Sequence, residues 1–149
     1  MPSERPLLHR LSPRRRAAIA AARAGLGTRF RVQGRLIGVG LDCVGVALLA
    51  AAGAGLCIGP VPPYALGGDH EDLLTLSLRA LGLRRVRRPR PADLVEFALA
   101  AGHRHLALIT DRGILHAHAG LGRVVEGPMP EDWPVVAYWA LPNLRVGTQ

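Results

Sequence analysis

The sequence predicts an α+β fold, in which helices from the first part of the chain pack on a five-stranded antiparallel sheet formed by the rest. Up to residue 82, three segments combine helix-capping residues with apolar residues at helical spacing. From Asp93 onward, five short segments rich in β-branched and aromatic residues are each bounded by Gly, Pro or Asp. Helices and strands that occupy separate blocks of a chain are typical of this fold class.

Length and composition indicate one globular domain. The chain has 149 residues, of which 49% are hydrophobic, and this is enough to bury a core without disulfides. We expect an N-terminal arm at residues 1–11, a folded domain at 12–142 and a C-terminal tail at 143–149. No apolar segment reaches the roughly 20 residues that a membrane-spanning helix needs, so we expect no membrane span.

The formal charge of +8 and the isoelectric point near 11.3 indicate anionic surroundings, such as nucleic acid, an acidic envelope polymer or acidic partner proteins. The charge is mostly arginine, which also fits a GC-rich coding sequence with no functional meaning. Five arginines fall within residues 83–91. We interpret this segment as a solvated connector, with contact to a polyanion as the alternative.

The first helix begins where Ser12 and Pro13 occupy the preferred N-cap and first helical positions, and it ends near Gly25 or Gly27. A glycine-rich connector leads to the second helix, which is capped by Asp42 and ends near Gly53 or Gly55.

Cys43 lies in the first turn of the second helix. Unpaired amide groups and the helix dipole favour a thiolate there, so this cysteine is a candidate nucleophile. The alternative is a small buried apolar side chain. Cys57, the other cysteine, falls at the far end of the same helix, too distant for a disulfide, so both are expected to be reduced.

A proline-rich segment at 59–68 forms a stiff loop that contains Tyr64, a candidate for the substrate groove. Asp69 caps the third helix, which Gly82 ends. Five strands follow as an antiparallel meander: DLVEFAL, HLALIT, GILHAHA, GRVVEG and VVAYWAL. Trp133, between two prolines, lies in the last connection.

Four histidines fall within sixteen residues: His103, His105, His116 and His118. If residues 111 and 112 form a two-residue turn, His105 lies opposite His118, with His116 one diagonal step away on the same face. The alternation of side chains along a strand does not show whether His116 or His118 is the partner of His105. One histidine could act as a base toward Cys43 while a second orients it. Paired His-x-His sequences could instead bind zinc, or the histidines could be inert surface residues.

These residues resemble the NlpC-type family of papain-like cell-wall peptidases, particularly the subgroup carried by phage tails and gene transfer agents. The resemblance spans about residues 12–142. Its motifs occur in order: G-T-x-[FY]-R at 27–31, D-C-x-G at 42–45, P-x-D-L at 91–94, H-L-A-L at 105–108 and I-L-H-A at 114–117. It implies a papain-like fold with Cys43 as nucleophile, His105 as general base and His116 as the orienting residue, with no metal or cofactor.

One position departs from the family pattern. Many members have a tyrosine whose hydroxyl helps to stabilise the oxyanion, and this chain has Phe30 there, which cannot donate a hydrogen bond. We hypothesise that the Cys43 amide and Gln33 serve instead, with Asp42 and Tyr64 as further residues at the substrate site.

The resemblance implies a cysteine endopeptidase that cuts peptidoglycan stem peptides, at the bond between D-glutamate and meso-diaminopimelate. It also implies carriage on the tail or baseplate of a phage-like particle, with hub proteins as partners. We expect synthesis in the cytoplasm without a signal peptide and action at the bacterial cell wall; nucleic acid is not an expected partner. The rival hypothesis is a structural tail or baseplate component of the same fold that is weakly active or inactive and binds acidic partners.

Overall fold

The structure is a computed structural model that describes residues 8–56 and 71–142, and it has the expected α+β architecture. Its helices are α1 Pro13–Arg23, α2 Cys43–Gly53 and α3 Glu71–Ala80. Its strands are β1 Arg35–Leu36, β2 Gly40–Leu41, β3 Arg84–Val86, β4 Leu94–Ala98, β5 Arg104–Thr110, β6 Gly113–His118, β7 Arg123–Gly127 and β8 Val135–Ala140. A short 3-10 helix occupies Ala100–Gly102. None of the described helices is long and apolar enough to cross a bilayer.

The predicted starts of α1 and α2 are confirmed. The Ser12 side chain accepts a hydrogen bond from the Arg15 amide, and the Asp42 side chain accepts one from the Gly45 amide. Gly82 follows α3 with a φ of 89°, which only glycine adopts readily. The predicted cap Asp69, the proline-rich loop, residues 1–7 of the predicted arm and the tail lie outside the described residues.

The sheet differs from the predicted five-stranded meander in two ways. It has six strands in the order β3-β8-β4-β5-β6-β7, with every neighbouring pair antiparallel. The sixth strand, β3, comes from the arginine-rich segment that we interpreted as a connector. The last strand, β8, does not lie beside β7 but returns to pair between β4 and β3.

Both differences have a physical reason. Charged side chains on a short strand are typical of a sheet edge, and β3 is an edge strand, so its arginines obscure a strand signal. The alternation of β8 shows that it is buried but not which strands flank it. Trp139 is fully buried, and its indole N–H donates to the buried carboxylate of Glu96 at 3.0 Å. This contact fixes β8 beside β4.

Helices cover one face of the sheet. Alternate residues of the central strands, Leu106, Leu108, Leu115 and Ala117, belong to the main core with α1 and α2. The other face carries a smaller cluster formed by Val95, Phe97, Ala107 and Ile114, against which Trp133 and Met129 pack. Strand parity therefore directs His105 and His116 to this second face.

Buried ion pairs attach α1 to the sheet. Arg15 binds Asp93 at 2.9 Å, and both side chains are buried. At the other end of α1, Arg23 binds Glu126 of β7 and Asp111 of the β5–β6 turn. Breaking either contact would leave charges buried without partners, so α1 is held in a fixed position under the sheet.

Candidate active site

Cys43 lies against β5 at a point where the sheet opens. Strands β5 and β6 pair only from Leu108 and Leu115 to their turn. The Ile109 amide donates to the carbonyl of Asp93, the residue before β4, so the amide of Leu106, three residues earlier, points to the opposite side, toward β6. Because β6 has separated there, the Leu106 amide is directed at the Cys43 sulfur instead.

The Cys43 side chain is only 2% exposed. Burial raises the pKa of its thiol to about 12, and the charge of Asp42 contributes in the same direction. The amides of Leu106, Val44 and Cys43 itself lower the pKa, but burial outweighs them. The resting side chain is therefore a neutral thiol. This is the opposite of the thiolate expected from the helix terminus alone, because the helix-dipole argument takes no account of desolvation.

His105 and His116 lie together. His105 Nε2 is 2.7 Å from His116 Nδ1, across the gap between β5 and β6. The predicted turn at 111–112 and its register are confirmed from Leu108 to Leu115, but the strands separate before the predicted pairing of His105 with His118. The side chain that His105 contacts is therefore that of His116, whereas strand parity alone allowed either His116 or His118.

This contact is compatible with a proton on either ring, and only one of the two arrangements leaves a nitrogen of His105 free to act as a base. When His105 donates from Nε2, His116 accepts at Nδ1, and His105 Nδ1 keeps its lone pair. A second histidine that fixes the tautomer of the first is the arrangement that Cys-His catalysis needs. Among the hydrogen bonds of residues 8–56 and 71–142, none joins the Cys43 sulfur to an imidazole.

Both imidazoles are neutral near pH 7. Burial, together with smaller contributions from the charges of His116 and His118, lowers the pKa of His105 to about 3. Burial, with a smaller contribution from the charge of His118, lowers the pKa of His116 to about 4. A neutral His105 is the form that can take a proton from a thiol.

Trp133 covers the histidines, a role that sequence reasoning missed because it placed Trp133 only in the last connection. Its ring lies edge-on to His105 and to His116, each with centroids 5.6 Å apart. It also contacts His118 at 6.0 Å and Phe97 at 5.2 Å. The Trp133 ring therefore packs against the side chains that make the His105–His116 contact. A tryptophan between two prolines was the available signal, because such a loop is stiff enough to hold a large ring in place.

The structure gives no support to the zinc hypothesis. Within the described ranges, no group of three or more His, Cys, Asp or Glu side chains could hold a metal ion. His118 Nδ1 accepts a hydrogen bond from the Leu121 amide at 3.0 Å, and His103 is exposed. His118 therefore closes the β6–β7 turn.

Asp42 connects the segment that precedes α2 to the first turn of α2. Its fully buried carboxylate accepts from the Gly45 amide at 2.8 Å and the Gln33 amide at 2.8 Å, and it binds Arg35 at 2.9 Å. These contacts give Asp42 a structural role. Gln33 is exposed, with a φ of 63°, so its backbone is turned toward Asp42. Tyr64 lies outside the described residues.

Phe30, at the position where the resemblance leads us to expect a tyrosine, is half-buried and packs against the main core. Its amide donates to Gly122 at 2.8 Å, and its strand-like backbone pairs with Leu41. Residue 30 is therefore part of the packed structure that precedes α2. A hydroxyl donor is absent from its ring.

No known family profile matches this sequence, and no curated protein matches it. Solved structures do. The chain is similar to RipD of Mycobacterium tuberculosis, described as a non-catalytic NlpC/p60 domain protein adapted to peptidoglycan binding, with 22% identity, a TM-score of 0.57, and coverage of 87% of this chain and 97% of RipD.

Two further structures agree. The P60 domain of an antigen from M. avium subspecies paratuberculosis is 20% identical with a TM-score of 0.56, covering 86% of this chain and 93% of that one. The peptidoglycan hydrolase RipB of M. tuberculosis is 22% identical with a TM-score of 0.57, covering 89% and 69%. The fold of this chain is therefore that of the NlpC/p60 domains.

Proposed function

We propose that this protein is a cysteine peptidase that hydrolyses a peptide bond in the stem peptides of peptidoglycan. The observation that carries the proposal is the 2.7 Å contact between His105 Nε2 and His116 Nδ1; with His105 as the donor in this contact, His105 Nδ1 is a base. Cys43 lies at the amide of Leu106, the residue next to His105. The NlpC/p60 fold, shared with a peptidoglycan hydrolase, supports the choice of substrate.

In this mechanism, His105 Nδ1 takes the proton from the Cys43 thiol as the sulfur attacks the substrate carbonyl carbon. The C–S bond forms, and the carbonyl oxygen becomes an oxyanion stabilised by the Cys43 amide and Gln33. The C–N bond then breaks, and His105 gives its proton to the leaving amine. Water, deprotonated by His105, releases the acyl group and restores the thiol.

The buried neutral thiol requires that substrate binding bring Cys43 and His105 into hydrogen-bond contact. Catalytic hydrogen bonds are often long in the free enzyme and shorten only when substrate is bound. The stem peptide would also displace water from the groove, and this would strengthen the attraction between the thiolate and the imidazolium once the two groups are in contact.

The bond between D-glutamate and meso-diaminopimelate is the proposed cleavage site. The test is release of new amino groups from purified stem peptides by the wild type and by Cys43→Ala, with fragment masses to locate the cut. Cleavage by the wild type alone is expected. Absence of cleavage by folded wild-type protein would overturn the proposal. A companion Gln33→Ala variant with unchanged rate would remove Gln33 from the oxyanion site.

We also propose delivery by the tail or baseplate of a phage-like particle, with hub proteins as partners. The support is the resemblance of the motifs to that subgroup and the formal charge of +8, which suits an anionic wall. Particles purified from the producing cells should contain the protein, located at the tail by labelled antibody. Its absence from such particles would contradict this delivery.

The second candidate is a non-catalytic domain that binds peptidoglycan. The burial of Cys43 favours it, since a thiol with a pKa of about 12 is a weak nucleophile until it is activated. RipD, of the same fold, is described as non-catalytic and adapted to peptidoglycan binding. In this case the wild type and Cys43→Ala would sediment equally with purified sacculi, and neither would release amino groups.

A further inference from the structure

An apolar surface lies on the segment that leads into Cys43. We define the apolar hairpin as residues 31–41, which contain β1, β2 and their turn. Of the eight exposed large hydrophobic side chains in the described residues, five lie between residues 26 and 39. The four on the hairpin, Val32, Leu36, Ile37 and Val39, are between 47% and 65% exposed. Such a concentration marks a contact surface.

The exposed charged side chains of this segment are arginines. Residues 24–41 contain no Asp or Glu, and the nearest carboxylate in the sequence, Asp42, is fully buried and paired with Arg35. Arg29 and Arg31 are exposed on the same segment. Arg29 pairs through its backbone with the exposed Arg123, which adds a third cation.

Many backbone amides of the hairpin donate to other groups of the protein. The Gly38 amide donates to the Thr28 hydroxyl at 3.0 Å, and the Val39 amide donates to the Leu36 carbonyl at 3.1 Å. The amides of residues 31, 33, 34 and 41 also have partners, in the carbonyl of Leu41, the carboxylate of Asp42 and the carbonyls of Arg31 and Arg29. Amides that are bonded within the protein lose no hydrogen bond to water when they enter a nonpolar medium.

We propose that the apolar hairpin binds the surface of an anionic lipid bilayer, with its aliphatic tip among the acyl chains and its arginines at the headgroups. Aliphatic side chains flanked by cations are the pattern of interfacial membrane binding. The hairpin offers hydrophobic area and positive charge without a directed set of polar groups. This combination suits a fluid anionic surface better than a specific protein partner. The proposal does not depend on the proposed peptidase activity.

The hairpin is also fixed to the candidate site. A Cβ added at Gly45 would lie 2.3 Å from the Gly34 carbonyl oxygen, so the hairpin and the first turn of α2 are in close contact. A hairpin held at the membrane would therefore hold Cys43 near that membrane as well.

The test is co-sedimentation of the full-length protein with vesicles of phosphatidylglycerol and phosphatidylcholine, and with vesicles of phosphatidylcholine alone. We expect binding to the anionic vesicles that weakens as salt increases. The double variant Leu36→Ser/Ile37→Ser should bind about tenfold more weakly or worse. Arg29→Gln and Arg31→Gln should each weaken binding about fivefold, the usual effect of one cation near an anionic membrane.

The matched control is Leu76→Ser, which replaces an aliphatic side chain of similar exposure on α3. It should bind as the wild type does, and circular dichroism would verify that every variant is folded. Absence of binding by the wild type, or equal loss in Leu76→Ser, would overturn the proposal. Concentration-dependent dimers that Leu36→Ser/Ile37→Ser abolishes, without vesicle binding, would assign the surface to a second copy of the chain instead.

Discussion

His105 Nε2 and His116 Nδ1 lie 2.7 Å apart on two strands that have stopped pairing with each other. The separation makes room for the two rings, and it leaves the Leu106 amide to be directed at Cys43. One irregularity in the sheet thus accounts for the contact between the histidines and for the position of the thiol.

Replacement of His116 should lower turnover without removing the nucleophile. In His116→Ala, His105 loses the acceptor that fixes its tautomer, so we expect kcat to fall about 100-fold or more while KM changes little. His116→Asn can accept from His105 Nε2 through its amide oxygen and should recover part of the rate. Equal rates for the Ala and Asn variants would contradict an orienting role.

The Cys43 thiol should react slowly with alkylating reagents. In a Cys57→Ser background, where Cys43 is the single cysteine, the thiolate fraction near pH 7 should be about three orders of magnitude below that of an ordinary cysteine. The iodoacetamide rate should keep rising with pH well above pH 9, since the pKa of the thiol is about 12. A plateau near pH 8 to 9, typical of a free thiol, would show that Cys43 is not desolvated.

Acid should destabilise the fold through the histidines. Their folded pKa values of about 3 and 4 lie below the ordinary value of 6.5, so the unfolded chain binds more protons as the pH falls. The free energy of unfolding should be independent of these groups above pH 6.5 and should decrease from there down toward pH 4. Urea denaturation across this range measures it.

Variants of the histidines test whether His105 and His116 cause this pH dependence of stability. Between pH 6.5 and pH 4, the free energy of unfolding of the double variant His105→Gln/His116→Gln should fall by about 1 to 3 kcal/mol less than that of the wild type. His103→Gln, at an exposed position, should follow the wild type. Parallel curves for the double variant and the wild type would assign the acid sensitivity to other groups.

Trp133 should control the ionisation of the histidines. Trp133→Ala admits water to the rings, so we expect the pKa values of His105 and His116 to rise toward 6.5, as followed by imidazole nitrogen NMR during acid titration. Trp133→Phe keeps an apolar ring and should give a smaller rise. If the midpoints are the same in the Ala variant and the wild type, Trp133 does not shield the pair.

Asp42 should stabilise the fold, and this effect can be measured independently of any catalytic activity. Asp42→Ala removes the cap of α2 and the partner of Arg35, so we expect the free energy of unfolding to fall by about 2 to 4 kcal/mol. Asp132→Ala, an exposed carboxylate in the loop before β8, is the control and should change stability by less than about 0.5 kcal/mol. Similar losses for the two variants would contradict the structural role of Asp42.

Local signals in the sequence predicted the local structure well. Ser12 and Asp42 cap their helices because a side-chain oxygen at that position satisfies an amide of the first turn, and only neighbouring residues are needed. The turn at 111–112 fixed the register that places His105 and His116 on one face, for the same reason.

Features that depend on distant parts of the chain could not be predicted. The position of β8 depends on a fit of Trp139 against Glu96. The thiol pKa depends on burial of Cys43 by other elements, and the shielding by Trp133 joins a loop to two strands from elsewhere in the sequence. None of these contacts has a periodicity that a single sequence displays.

The central position of β8 has a consequence for synthesis of the protein. In the described part of the chain β3 pairs with β8 alone, and β4 has β8 as one of its two neighbours. The sheet therefore cannot be completed until residues 135–140 have left the ribosome, and Trp133 cannot reach the histidines before the loop ahead of them has emerged. A nascent chain that stops short of Val135 would contain Cys43, His105 and His116 but not the finished site, so the site is assembled only after β8 has been synthesised.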